Sequence, residues 1–207
     1  PTAFSHDGKS IVTLLFRRDN ISQIALIDTA TGAAKVLKSL NWIYPKRMDI
    51  SPDGRTLVYD SFSRDGAADR DIYLLSLDGA RENKLITGPA EDVFPLFDLT
   101  GKRVLFSSDR AGTPALFATT IQGPQPVLVL DKLDRFLPLA VRTSGDLVYA
   151  TRTGGSHIYQ ATLDTAARRL TELPQAVGEG WSPVWSPDGR TLAWLGRRAG
   201  ENFGTDS

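Results

Sequence analysis

Ser51-Pro52-Asp53-Gly54-Arg55-Thr56-Leu57-Val58-Tyr59 returns almost verbatim as Ser186-Pro187-Asp188-Gly189-Arg190-Thr191-Leu192-Ala193-Trp194. Asp-Gly between apolar alternations signals a tight hairpin, because glycine accepts a positive φ without steric cost. Two copies of one hairpin mean an internal repeat. Following the turn glycine uncovers three more copies: residues 4–12 around Gly8, residues 97–105 around Gly101, and a worn version at 141–149 around Gly145.

The turn glycines 8, 54, 101, 145 and 189 are spaced by 46, 47, 44 and 44 residues. That period, with four short strands per unit, is what a β-propeller blade requires. In the second unit, Arg47-Met48-Asp49-Ile50 reads as strand a, the innermost, and Thr56-Leu57-Val58-Tyr59-Asp60 as strand b. Asp71-Ile72-Tyr73-Leu74-Leu75-Ser76-Leu77 reads as strand c, and Asn83-Lys84-Leu85-Ile86 as strand d. Period-2 alternation marks these runs as half-buried strands, and no window carries a sustained 3.6-residue apolar stripe. The expectation is an all-β fold, a β-propeller with four-stranded antiparallel blades. Blade limits are expected at 1–40, 41–88, 89–131, 132–173 and 174–207, the last truncated. About four and a half blades make the propeller incomplete within this chain. Its open sheet edges are then expected to be covered by missing blades or another chain.

Composition narrows the function. With 24 Lys+Arg against 24 Asp+Glu, the formal net charge is +0. A general nucleic-acid or anionic-membrane binder would need a basic face. No apolar run is long enough to span a bilayer, so membrane insertion is not expected. The chain has no Cys and two His, which excludes thiolate chemistry and leaves a zinc site to carboxylates. No Gly-x-Ser-x-Gly elbow is present. His6 sits in a turn and His157 opens a strand, both read as surface positions. The acidic segment 60–71 offers Asp60, Asp65, Asp69 and Asp71, yet Arg64 and Arg70 would neutralise a calcium site. It reads instead as a solvated turn held by Asx-type bonds. Gly178-Glu179-Gly180 and Gly154-Gly155 have no following helix to cradle a phosphate. No catalytic residue, cofactor or metal is expected.

The repeat resembles the TolB-type, WD-repeat-like β-propeller family. The residues that carry the resemblance are Pro183, Trp185 and Ser186-Pro187-Asp188-Gly189-Arg190; Ser108-Asp109-Arg110-Ala111-Gly112; Asp71-Ile72-Tyr73 with Leu77-Asp78-Gly79; and Leu170-Thr171. The third unit departs from it with Asp98-Leu99-Thr100 in place of Ser-Pro-Asp. The resemblance implies a bacterial protein, periplasmic or extracytoplasmic rather than cytoplasmic. It implies a non-catalytic recognition surface for a protein or peptide partner. Two other roles go with such blades: the substrate-gating propeller of a prolyl-oligopeptidase-type serine peptidase, and a scaffold or sensor domain of a larger regulator.

In a propeller the d-to-a connections and the start of strand a line one mouth of the central channel. Here they supply Trp42, Tyr44, Lys46 and Arg47; Glu91 and Asp92; Asp134 and Arg135; and Glu179 and Trp181. Large aromatics and arginine among charges are the residue types of binding hot spots. The competing reading has Trp42, Phe94, Phe136 and Trp181 packing between blades with the charges solvated. The mouth is the candidate partner- or ligand-binding site.

Overall fold

The computed structural model describes residues 2–41, 43–63, 67–131, 139–141, 146–151, 157–164, 169–172, 176–186 and 190–196. Every regular element among them is a β-strand. The first sheet runs β1 (Thr2–Phe4), β2 (Ser10–Phe16), β3 (Ser22–Asp28), β4 (Ala34–Ser39), in that order across the sheet. The second runs β5 (Met48–Ile50), β6 (Thr56–Phe62), β7 (Arg70–Ser76), β8 (Glu82–Ile86). The third runs β9 (Val93–Phe97), β10 (Arg103–Ser108), β11 (Ala115–Thr120), β12 (Val127–Leu130). The fourth runs β13 (Leu139–Val141), β14 (Asp146–Thr151), β15 (His157–Asp164), β16 (Arg169–Glu172), with β17 (Gly178–Glu179) also paired to β15. A two-stranded fifth sheet holds β18 (Trp181–Trp185) and β19 (Leu192–Leu195). All pairs are antiparallel, and the described residues form an incomplete propeller.

Strand a of the first unit is β1, three residues paired to β2 through Ala3 and Val12. Strand limits differ from the sequence reading in the second sheet. There β6 runs on to Phe62 and β7 begins at Arg70, so Asp60 and Asp71 lie inside strands.

The a–b turns explain why the nine-residue motif recurs. In the second sheet Ser51 Oγ donates to Asp53 Oδ1 at 2.6 Å, and Asp53 Oδ1 accepts the Arg55 N–H at 3.1 Å. The Thr56 N–H then closes back on Ser51 Oγ at 2.9 Å. Gly54 sits at φ +68, which an L side chain would strain. The first sheet repeats this wiring with Ser5, Asp7 and Ser10. The third keeps the turn with the roles exchanged. There Asp98 accepts from Thr100 Oγ1 and from the Arg103 N–H. The departure at 98–100 is therefore a donor–acceptor swap.

Apolar seams join consecutive sheets. Val12, Leu14, Ile24 and Leu37 of the first sheet pack on Met48, Ile50, Leu57 and Tyr59 of the second. Val58, Ile72 and Ile86 pack on Phe97, Val104, Phe106 and Phe117 of the third. Leu105 and Leu116 pack on Leu147 and Tyr149 of the fourth. Each described outer strand of the first three sheets carries a one-residue bulge, skipping Leu37, Leu85 and Val129. A bulge breaks strict alternation, so consecutive residues can both turn inward. Leu85 and Ile86 are accordingly both buried.

Bulges also place the prolines of strand a. In β9, Phe94 and Pro95 lie in the register break opposite β10, and in β18 Ser182 and Pro183 lie in the equivalent break. Proline lacks the N–H a regular ladder would need, so a bulge accommodates it. The Gly178-Glu179-Gly180 run has a packing reason. A Cβ on Gly180 would lie 2.1 Å from the Leu195 carbonyl oxygen, and one on Gly178 2.6 Å from the Trp194 ring.

Candidate functional site

The d-to-a connections and the b–c turns lie at the same end of each sheet, because four antiparallel strands return the chain there. At that end the second sheet is built around one carboxylate. Asp60, at 0% exposure, lies in the buried run of β6 that ends at Ser61. Its Oδ2 accepts the Lys46 N–H at 3.0 Å, and its Oδ1 the Arg47 N–H at 2.8 Å. Arg70, first residue of β7, donates to Asp60 Oδ2 at 2.9 Å and to the Tyr44 carbonyl at 3.2 Å. The Phe62 ring covers the guanidinium, 4.3 Å from its centroid. The side chain of Asp60 thus takes the place of a backbone ladder and pins the whole connection from Tyr44 to Arg47. Burial raises its pKa, opposed by the two amides and by Arg70.

The third sheet closes the same end with different residues. Asp92, also at 0% exposure, receives Arg110 Nη2 on both oxygens at 2.8 Å. Arg110 lies 5.5 Å from the centroids of both Phe106 and Phe117. Asp109 Oδ1 accepts the Glu91 N–H at 2.9 Å. Burial pushes the Asp92 carboxyl above the ordinary carboxylate range.

Hydrogen bonds cross the seam between these sheets, among them one from the Asp92 N–H to the Arg70 carbonyl at 3.0 Å. Lys46 Nζ meets Glu91 Oε1 at 2.6 Å, and the Phe97 N–H reaches Asp49 Oδ2 at 2.8 Å. Lys46 also lies 5.9 Å from the Phe94 ring centroid. Phe94 adopts φ +56, a sterically costly backbone for a bulky residue. It is held there by the bulge that hides Pro95.

The sequence-derived mouth residues divide as follows. Tyr44, Lys46, Arg47, Glu91 and Asp92 come together across the seam between the second and third sheets. Tyr44 keeps its side chain outside, at 55% exposure. Arg47 stands between Asp49 and Asp60, whose charges oppose the lowering that burial imposes on its guanidinium. Glu179 lies apart, in β17, where its carbonyl accepts from Trp194 Nε1 at 3.1 Å. Trp181 begins β18. Trp42, Asp134, Arg135 and Phe136 lie outside the described residues.

The described ends of segment 60–71 are strand residues rather than the solvated turn that the sequence suggested. Asp60 and Asp71 are buried, and Asp71 Oδ2 pairs with Lys84 Nζ at 2.9 Å. Among the described residues no group of three or more acidic or histidine side chains is disposed to hold a metal. Asp60 with Arg70, and Asp92 with Arg110, form cationic–anionic clasps. Of these, sequence reasoning singled out only Asp92 for the mouth. The signal available was a charged residue interrupting an apolar strand pattern, an Asp at the end of one strand facing an Arg at the start of the next.

Comparison with known proteins agrees with this architecture. Residues 1–131 match the TolB beta propeller domain family. The Tol-Pal system protein TolB of Wolinella succinogenes is 29% identical over 155 residues, covering 71% of this chain and 35% of that relative. The crystal structure of TolB from Acinetobacter baumannii superposes with TM-score 0.72 at 22% identity, over 96% of this chain and 49% of that one. A prolyl endopeptidase superposes with TM-score 0.61 at 16% identity, over 91% of this chain and 30% of that one. Both structural likenesses show the fold alone. The chain spans about a third to a half of these TolB relatives. The repeat, the sheets it builds and the family match converge: this chain belongs to the TolB β-propeller domain family.

Proposed function

We propose that the chain is a non-catalytic recognition module. It holds a protein or peptide at the mouth formed by the d-to-a connections. The carrying observation is that Tyr44, Lys46, Arg47, Glu91 and Asp92 are fixed by buried clasps while the Tyr44 ring is left in solvent. A preorganised aromatic among charges binds with a small ordering cost. The Tol-Pal relationship of the W. succinogenes relative supports a protein partner and an extracytoplasmic location.

Peptides selected against the chain by display test this. Tyr44→Ala is expected to weaken a selected peptide about tenfold or more, the size of a hot-spot loss, with the thermal midpoint unchanged. Equal binding by Tyr44→Ala and by Lys46→Ala would remove the mouth from the reading. Hydrolysis of the bound peptide by the purified chain would remove the non-catalytic assignment. Fractionation of cells expressing the native gene reads the compartment, and a cytosolic protein would overturn the extracytoplasmic assignment.

A further inference from the structure

The outer strands of the four-stranded sheets are not alike. β4 carries Lys35 and Lys38, β8 carries Glu82 and Lys84, and β16 carries Arg169 and Glu172. A charged side chain on the last strand of a sheet discourages another strand from pairing there, because pairing would draw the charge out of water. In the first two sheets these charges also engage the neighbouring sheet. Lys38 pairs with Glu82, and Lys35 Nζ donates to the Asp78 carbonyl at 2.8 Å. β12, the outer strand of the third sheet, reads Val127-Leu128-Val129-Leu130 and carries no charge at all.

None of the four β12 residues is buried. Val129 and Leu130 lean on the seam with the fourth sheet, while Leu128 is 43% exposed. β12 pairs with β11 on one side, and among the described residues no strand pairs with its other side. The third sheet has its full four strands, so this edge belongs to the blade itself. Two features select what pairs with it. Pro126 precedes the strand and Asp131 follows it. In an antiparallel pairing of two such strands the Asp131 carboxylates lie at opposite ends of the ladder, each beside an uncharged Gln125-Pro126. A parallel pairing would set like charges side by side. The chain as a whole has a formal net charge of +0, so two copies approach without net repulsion.

We propose that β12 is a self-association edge, on which β12 of a second copy of this chain pairs antiparallel about a two-fold axis. The two four-stranded sheets then join into one sheet of eight strands, with Val and Leu facing Val and Leu across the new ladder. Both copies contribute the same residues, so the contact closes at the dimer. Pro126 has no N–H to extend the ladder, which confines the pairing to a short stretch. The contact is therefore small, and the dimer belongs to the weak, concentration-dependent class. This surface is distinct from the connections that carry Tyr44, Lys46 and Glu91.

Sedimentation velocity from about 10 to about 500 µM tests this, since small contacts assemble in that range. The wild-type chain is expected to pass from monomer to dimer and to go no further. Leu128→Lys brings two ammonium groups together near the axis and should weaken the association about tenfold or more. Val127→Lys reads the same edge should the first substitution disturb the fold. Val36→Lys, on the already charged β4, is the control and should leave the dimer unchanged. Amide hydrogen exchange within residues 127–130 should slow as the concentration rises. A monomer throughout the range would overturn the proposal. So would a dimer that survives both lysine substitutions on β12, or growth past the dimer. A chain that stays monomeric and protects the 127–130 amides only on binding a display-selected peptide would assign the edge to a different protein, and the second copy would be overturned.

Discussion

In the second and third sheets the two ends are held by opposite means. At the a–b turn end, each turn is closed by its own neighbours. Asp7 and Asp53 are solvent-exposed and bond residues two positions away. At the mouth end, Asp60, Arg70 and Asp92 are buried, and partners lie 10 to 45 residues off, as in Arg70 to Asp60 and Lys46 to Glu91. The first kind of bond recurs because each unit can make it alone. The second differs between sheets because it depends on what the neighbouring strand presents. The proposed recognition surface draws on the second kind, and one fold can carry many different surfaces.

Removing the Asp60 carboxylate should separate the ends most sharply. Asp60→Ala leaves Arg70 buried without its partner and strands two amides. The expected loss is about 3–5 kcal/mol, the range for breaking a buried pair from one side. Urea unfolding measures it, and a loss under about 1 kcal/mol would mean the mouth is not clasped by this residue. At the turn end, Gly54→Ala should cost about 1 kcal/mol, the penalty for putting a side chain at a left-handed φ. Open space around its Cβ position means that no clash adds to this. A larger loss for Gly54→Ala than for Asp60→Ala would invert the comparison.

The two ends should also respond to acid with opposite sign. Hydrogen bonds from Ser51 and Ser5 hold Asp53 and Asp7 below the ordinary carboxylate range. Their contribution is present above the ordinary value and is lost as pH falls through their lowered ones. Burial holds Asp60 and Asp92 above that range. Their contribution is fully present below the ordinary value and fades as pH rises through their raised ones. Asp53→Asn should therefore flatten the loss of stability on acidification, and Asp92→Asn should steepen it. Carboxyl NMR titration checks the individual directions. If Asp53 and Asp92 titrate on the same side of the ordinary value, the contrast is lost.

The smallest effect is expected inside a seam. Thr119 Oγ1 is buried without a hydrogen-bond partner. Thr119→Val keeps the shape and removes an unpaired hydroxyl, so stability should stay level or rise by up to about 1 kcal/mol. A clear loss by thermal unfolding would show that the hydroxyl has a role that the static structure does not reveal.

Much of the fold was legible because its signals are local. Gly54 and Gly101 mark turns that any reader of φ > 0 can place, and the period between them implies a blade. The alternation in Thr56-Leu57-Val58-Tyr59 gives a strand with no reference to its neighbours. The outer-strand bulges at Leu37, Leu85 and Val129 were not legible, since a bulge is a relation between two strands. The position of Tyr44, Lys46 and Glu91 in the connections between sheets was legible, and the bonds that hold those connections were not. Asp60 looked like part of a solvated turn, because its partners are set only when β6 and β7 pair and the preceding connection folds over them.

Sequence alone settled the all-β class, the repeat and the turn chemistry, since each rests on bonds made within about ten residues. Tertiary structure alone decided which charges are buried. Burial of a carboxylate is worth its desolvation only when an arginine and free amides converge on it. That convergence depends on how distant strands pack.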